Sequence, residues 1–307
     1  MATSGGDHLP EACVAVPQAA GPQIAEPLAT GPLTTGPETA IPAFEALRLL
    51  RQTRAELAEA RDLLADSEQR AAAEHELTLR LQRAIMPSGV RVMATAGVDI
   101  AVRCLPAKPG FLVAGDWYDA LQLPGGDLLF VVGDIAGHGM EAVTGMVTAR
   151  NALRGLAVTG AEPGELIGKL NYTTCLFAED VTGTVICGRY SPRSQMLRWA
   201  RAGHLPPVLV RDGTATVQPM PDGMLLGVRL DNEYEQLSLQ LARGDTLIFY
   251  TDGLIERRAA SISDALAEFA AAAVPADPDV DAHASRILAS AVSDTGDDAC
   301  LLAARIA

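Results

Sequence analysis

Leu128-Leu-Phe-Val-Val-Gly-Asp-Ile-Ala-Gly-His-Gly139 runs from an all-apolar strand into a glycine turn, with Asp134 at the junction. Upstream, Pro124-Gly-Gly-Asp127 is a hairpin signal flanked by apolar runs. Downstream, the glycine turn opens a helical pattern over 140–157. A carboxylate at the mouth of such a strand is poorly solvated unless a cation or hydrogen-bond donors meet it. The same pattern recurs in Asp245-Thr-Leu-Ile-Phe-Tyr-Thr-Asp252-Gly253. Gly115-Asp116-Trp-Tyr-Asp119 precedes a strand-like run, and Asp297-Asp298 opens the apolar Ala299-Cys-Leu-Leu-Ala-Ala304. If these strands lie side by side, about four to six carboxylates converge with hardly any Lys or Arg beside them, a donor set suited to hard divalent cations such as Mg²⁺ or Mn²⁺.

The 307 residues amount to about two domains, or one domain with extensions. At 49 % hydrophobic, the chain can build a sizeable core. A formal charge of −14 argues against nucleic acid or an anionic membrane as partner. Cys13, Cys104, Cys175, Cys187 and Cys300 show no paired ligand spacing, so they are expected to be single buried thiols in a reducing cytoplasm. No apolar stretch approaches the roughly 20 residues a membrane span needs. The start lacks the basic and apolar regions of a signal peptide, so the expected location is cytoplasmic.

Three regions follow from composition. Residues 1–43 are poor in charge, with prolines every fifth position from Pro17 to Pro42, and are expected to form a disordered, Pro/Gly/Ala-rich tail. Residues 44–87 turn to Glu, Arg, Ala, Leu and Gln, with no Gly or Pro until Pro87, which predicts a helical linker. Leu50, Leu57, Leu64 and Ala71 fall seven apart, but Arg54, Arg61 and Glu68 occupy the complementary positions. A weak coiled coil pairing two subunits through 44–86 and a lone helix are both open. Residues 88–307 alternate strand runs (98–104, 128–132, 183–190, 196–201, 207–211, 236–241, 246–250, 300–306) with helical patterns (140–157, 163–177, 263–273, 281–293). Adjacent hairpins, including one at Asp212-Gly213, dominate over crossovers, so mostly antiparallel sheets with outer helices are expected.

Five motifs in order carry a specific resemblance: Gly115-Asp-Trp-Tyr-Asp119, Gly133-Asp-Ile-Ala-Gly-His-Gly139, Ala202-Gly-His-Leu-Pro-Pro207, Tyr250-Thr-Asp-Gly-Leu-Ile-Glu256 and Asp297-Asp-Ala299. Over about residues 80–307 the chain resembles the PPM-type metal-dependent serine/threonine protein phosphatases, in the SpoIIE/RsbU-like bacterial branch. The resemblance implies an α+β fold, an α-β-β-α sandwich of two mainly antiparallel sheets flanked by helices, here preceded by the helical segment. It implies two Mn²⁺ or Mg²⁺ ions that together activate a water toward phosphorus. It matches Asp134 to the carboxylate bridging both ions, the carbonyl of Ile135 to a ligand of one, and Asp116 to the second ion. Asp252 and Asp297 match ligands of the first ion, with Asp298 as the alternative. Where many relatives have Gly-Gly-Asp, this chain has Ala114-Gly115-Asp116.

Other residues carry plainer expectations. Asp119 is expected to hydrogen-bond locally more than to ligate, and His138 to fix its turn more than to act as a general acid. His204 is expected to form a structural turn or a docking edge near the site. No phosphate-binding arginine is identifiable; Arg103 and Lys108 lie upstream of Asp116 but match no motif. The expected activity is hydrolysis of a phosphoserine or phosphothreonine protein, with an anti-sigma-factor antagonist as the substrate the resemblance implies. A binding-only scaffold for such a partner and a small-molecule phosphohydrolase are the rival readings.

Overall fold

The structure, a computed structural model, describes residues 42–85, 90–105, 115–137, 139–178, 181–256, 261–290 and 297–307. The 1–41 stretch, Cys13, Lys108 and His138 therefore lie outside the described residues.

Helix α1 (Ala43–Ile85) is continuous, as its lack of Gly and Pro dictates. Leu50, Leu57 and Leu64, the heptad residues, are all exposed on it. Its division between two compact units falls after Ala65.

The described residues of the second unit form eleven strands in two antiparallel sheets. One has the order β1 (Val90–Thr95), β2 (Val98–Leu105), β11 (Ala299–Ile306), β10 (Thr246–Tyr250), β7 (Val208–Arg211) and β8 (Thr214–Val217). The other has the order β3 (Asp116–Gln122), β4 (Leu128–Ile135), β5 (Gly183–Ser191), β6 (Met196–Ala202) and β9 (Gln236–Gln240). Every paired neighbour is antiparallel, as the hairpin signals require. The Asp212-Gly213 turn has positive φ at both residues, 49° and 75°, the type I′ geometry that matches strand twist.

Alternation along the strands builds three packed layers. Leu128, Phe130 and Val132 of β4 face Leu247 and Phe249 of β10 between the sheets, with Phe130 and Phe249 ring centroids 6.0 Å apart. The other face of β4, through Leu129 and Val131, packs under α2 (Met140–Ala157) and α3 (Pro163–Phe177). Ile248 and Tyr250 of β10 pack under α4 (Ile262–Ala272) and α5 (Val280–Ser290). The result is the expected α-β-β-α sandwich. Both faces of the central strands are covered, so they read as unbroken apolar runs.

Three expectations need correction. The aspartate-bearing strands are not all neighbours in one sheet: β3 and β4 belong to one sheet, β10 and β11 to the other. Asp116 and Asp119 do not precede a strand but lie within β3. Cys104 and Cys300 are not single thiols. They stand opposite each other in the β2–β11 register, Cα atoms 4.1 Å apart, and are joined as a disulfide, while Cys175 and Cys187 are free.

Candidate metal centre

The β3–β4 register sets Asp116 directly across from Asp134. Period-2 alternation points both toward the space between the sheets, in line with Tyr118 and Val132. Asp252 opens a 3₁₀ turn (Asp252–Leu254) just past β10, and Asp297-Asp298 lead into β11 beside it. Two carboxylates from one sheet thus meet three from the other at one end of the sandwich.

Two glycines allow the close approach. A Cβ on Gly115 would lie 2.3 Å from the Ile135 carbonyl oxygen and 2.9 Å from Asp134 Oδ1. One on Gly253 would lie 1.8 Å from the Asp298 carbonyl oxygen. Either side chain would push the acidic strand ends apart.

Electrostatics register the crowding. Burial first, then the charge of Asp134, holds the Asp116 carboxyl well above the usual range; the Thr251 hydrogen bond opposes this. Burial and the charges of Asp252, Asp297 and Asp298 raise Asp134 to about 6. Asp252 shifts upward by burial and by Asp297, while backbone N–H groups counteract it. Its carboxylate keeps an exposed face, so solvent screens much of that effect. No Lys or Arg among the described residues is one of the groups acting on these three. Among the described residues, no three His, Cys, Asp or Glu side chains are gathered closely enough to hold a metal ion as they stand. The carboxylates instead flank a shared space and repel across it, a donor set that fits hard divalent cations.

Thr251, which sequence reasoning passed over inside Tyr250-Thr-Asp-Gly, holds the centre together. Its hydroxyl accepts from the Cys300 N–H at 2.8 Å and donates to Asp116 Oδ2 at 2.6 Å, tying one sheet to the carboxylate of the other. Asking which donor serves a buried Asp116 was the available signal.

The remaining expected residues sort by strand parity. Asp119 is an odd step from Asp116 and so faces the helices. It is fully buried and accepts from Arg154 of α2 through Nε and, at 3.0 Å, through Nη2; Arg150 Nε is 3.3 Å away. Its partner is a pair of α2 arginines, a role its neighbourhood in sequence did not reveal. Arg103 turns outward to Asp281 and Ser285 of α5, away from the carboxylates. His204, 3 % exposed, has both ring nitrogens within hydrogen-bond distance of partners, Thr184 Oγ1 at 2.7 Å and the Tyr250 carbonyl at 3.1 Å. Beside the centre, a groove of about 620 Å³ is lined by Ile135, Gly137, Met140, Thr144, Phe177 and Val181 among others.

The profile of the family described as Stage II sporulation protein E (SpoIIE) matches residues 124–307, more than half of the chain. The chain belongs to the SpoIIE family. It is 25 % identical over 190 residues to the phosphoserine phosphatase RsbU of Bacillus subtilis, a match covering 60 % of this chain and 54 % of that protein. The chain thus spans about half the length of this curated relative. The RsbU and RsbW domains of Rv1364c from Mycobacterium tuberculosis align with a TM-score of 0.61 at 32 % identity, covering 69 % of this chain and 62 % of theirs. RsbX, solved in complex with magnesium, aligns with a TM-score of 0.56 at 16 % identity over 71 % of this chain and all (100 %) of its own, which speaks for the fold alone. The order of the five motifs in the sequence and the sandwich both agree with this membership.

Proposed function

We propose that this SpoIIE-family chain is a metal-dependent protein serine/threonine phosphatase. The observation that carries the reading is the meeting of Asp116 and Asp134 from one sheet with Asp252, Asp297 and Asp298 from the other, with no basic side chain among the described residues acting on Asp116, Asp134 or Asp252. Asp116, Asp134, Asp252 and Asp297, with the Ile135 carbonyl and with Asp298 as alternate, would hold two Mn²⁺ or Mg²⁺ ions. When bound, such ions supply charge neutralisation at the phosphoryl group and a water acidic enough to act near neutral pH.

The chain's own residues supply placement. Thr251 fixes Asp116 by its 2.6 Å hydrogen bond, so this buried acid cannot swing away from Asp134. Gly115 and Gly253 permit the approach of the two sheet ends. Cys187 does not suit a nucleophile's part: it is fully buried and its thiol is pushed far upward by desolvation. Arg103, Arg150 and Arg154 are engaged elsewhere, with Asp281 and Asp119. The likeness to a phosphoserine phosphatase supports a phosphorylated protein as substrate, and the substrate of this reading is an anti-sigma-factor antagonist, phosphorylated on serine or threonine, in a partner-switching pathway. No helix among the described residues is long and apolar enough to cross a membrane. The setting of this reading is the cytoplasm. The domain plan we adopt is a tail over 1–43, a helical linker over 44–87 that pairs weakly with a second copy, and a phosphatase domain over 88–307.

The test is release of phosphate from a phosphorylated antagonist and from a free phosphomonoester, with Mn²⁺ and after metal removal by EDTA. The reading expects Mn²⁺- or Mg²⁺-dependent turnover on the phosphoprotein. Binding without turnover favours the scaffold, preference for the small ester favours the small-molecule phosphohydrolase, and turnover after verified metal removal refutes the metal-dependent assignment.

A further inference from the structure

The carboxylates of the two sheets must keep a fixed separation if they are to share cations, and Thr251 is one tie between them. A second tie runs through His204. Gly203, at φ 66°, turns the chain after β6, and its N–H donates to the Gly223 carbonyl at 2.9 Å. Arg201 then clamps the next peptide: Nη1 donates to the His204 carbonyl and Nε to that of Pro221, each at 2.9 Å. The imidazole is thereby inserted between the sheets. Tyr250 offers its carbonyl, which can only accept, so Nε2 carries the proton. Nδ1 therefore accepts from the Thr184 hydroxyl on β5, at 2.7 Å.

The two ends of this bridge are adjacent to the acidic centre. Thr184 is the cross-strand partner of Asp134 on β5. Tyr250 is the residue before Thr251, which in turn donates to Asp116, the partner of Asp134 on β3. The contacts close a ring: Asp134 strand pair, Thr184, His204, Tyr250, Thr251, Asp116 and back to Asp134. One tie would fix a distance and leave the sheet ends free to pivot; two ties fix the orientation as well. His204 itself is too buried to meet substrate, and burial pushes its pKa down to about 4, so it stays neutral and keeps its donor and acceptor ends through the assay range.

We propose that His204, with Thr184, is a positioning residue that sets the spacing between the Asp116–Asp134 pair and the Asp252–Asp297 pair, and thereby tunes divalent-cation affinity. This rests on the metal-dependent reading above, and it assigns His204 no part in proton transfer.

The experiment is calorimetric titration of Mn²⁺ into the full chain, with thermal melting and steady-state kinetics in parallel. Thr184→Val and His204→Ala should each weaken Mn²⁺ binding on the order of tenfold, the scale seen when a partner behind a metal ligand is removed. The double variant should bind no worse than His204→Ala, since both changes cut one bridge. His204→Gln should recover part of the loss, because its amide N–H can still reach the Tyr250 carbonyl. At saturating Mn²⁺, kcat should recover more than it does at limiting metal. Lower melting temperatures with unchanged Mn²⁺ affinity would overturn the proposal and leave His204 a plain structural latch. If His204→Ala does not fold, Thr184→Val decides alone, and unchanged affinity there is the overturning result. A wild-type chain that takes up no Mn²⁺ overturns the functional reading itself, and this inference with it.

Discussion

Replacing Asp134 with asparagine should make the metal-free protein more stable while abolishing hydrolysis. In the folded chain its carboxyl is raised from 3.8 to about 6 by burial and by Asp252, Asp297 and Asp298. A shift of about two units corresponds to roughly 3 kcal/mol of unfavourable charge in the native state. Partial solvent contact and coupling to Asp116 reduce the usable figure to about 1–2 kcal/mol. The sign follows from proton linkage: the native state binds the proton more tightly than the unfolded chain. The destabilisation is therefore absent below the unfolded value of 3.8 and complete above the folded value of about 6. Wild-type protein in EDTA should gain stability as pH falls from about 7 toward 4, and Asp134→Asn should show a shallower rise over that window. Asp134 accepts a hydrogen bond from the Asp116 side chain, and the asparagine carbonyl oxygen can keep that role. In a domain of this size, 1–2 kcal/mol raises the melting temperature by about 2–8 °C. Scanning calorimetry in EDTA at about pH 7.5 reads the gain, where the wild-type charge is fully present. Adding Mn²⁺ should reverse the order, stabilising wild type through binding and the variant much less. Equal melting temperatures in EDTA, with equal pH slopes, would refute the claim that these carboxylates crowd one another.

Asp119→Asn should do the opposite, lowering stability by about 3 kcal/mol because it strands Arg150 and Arg154 beside a buried neutral amide. Chemical denaturation should report the same loss with and without Mn²⁺, and calorimetry an unchanged Mn²⁺ affinity; a selective loss of Mn²⁺ binding would make Asp119 a ligand after all. Leu50, Leu57 and Leu64, which are 67 %, 62 % and 61 % exposed on α1, are apolar surface that a second copy would cover. Changing all three to Ala should lower the dimer fraction in sedimentation and reduce activity. Wild-type sedimentation as a monomer at every accessible concentration would leave α1 an unpaired arm.

The parts legible in the sequence are those whose chemistry is local. Asp134 and Asp252 announced themselves because a carboxylate at the end of an apolar run conflicts with its surroundings, and that conflict needs no partner to be seen. Helices α2 and α3 carried their own start signals, a glycine turn and Pro163, and came out as read. The edge strands β1 and β8 were not named from the sequence, although the Asp212-Gly213 turn implied the second of them.

What stayed hidden depends on contacts far apart in sequence. Cys104 and Cys300 are separated by 196 residues, and only the β2–β11 register sets them face to face. The Thr251–Asp116 bond spans 135 positions and joins different sheets. The partner of His204 in the other sheet is a main-chain carbonyl, which leaves no side-chain signature at all. Asp119 shows the same limit from the other side. Its three-residue distance from Asp116 suggests shared work, yet in a strand an odd step reverses the face, so one aspartate joins the acidic centre and the other binds α2. Proximity in a motif is therefore a poor guide to proximity in a site. The better guide in this fold is parity along the strand, which places Asp116 with Tyr118 and Asp134 with Val132 on the inner face before any distance is measured.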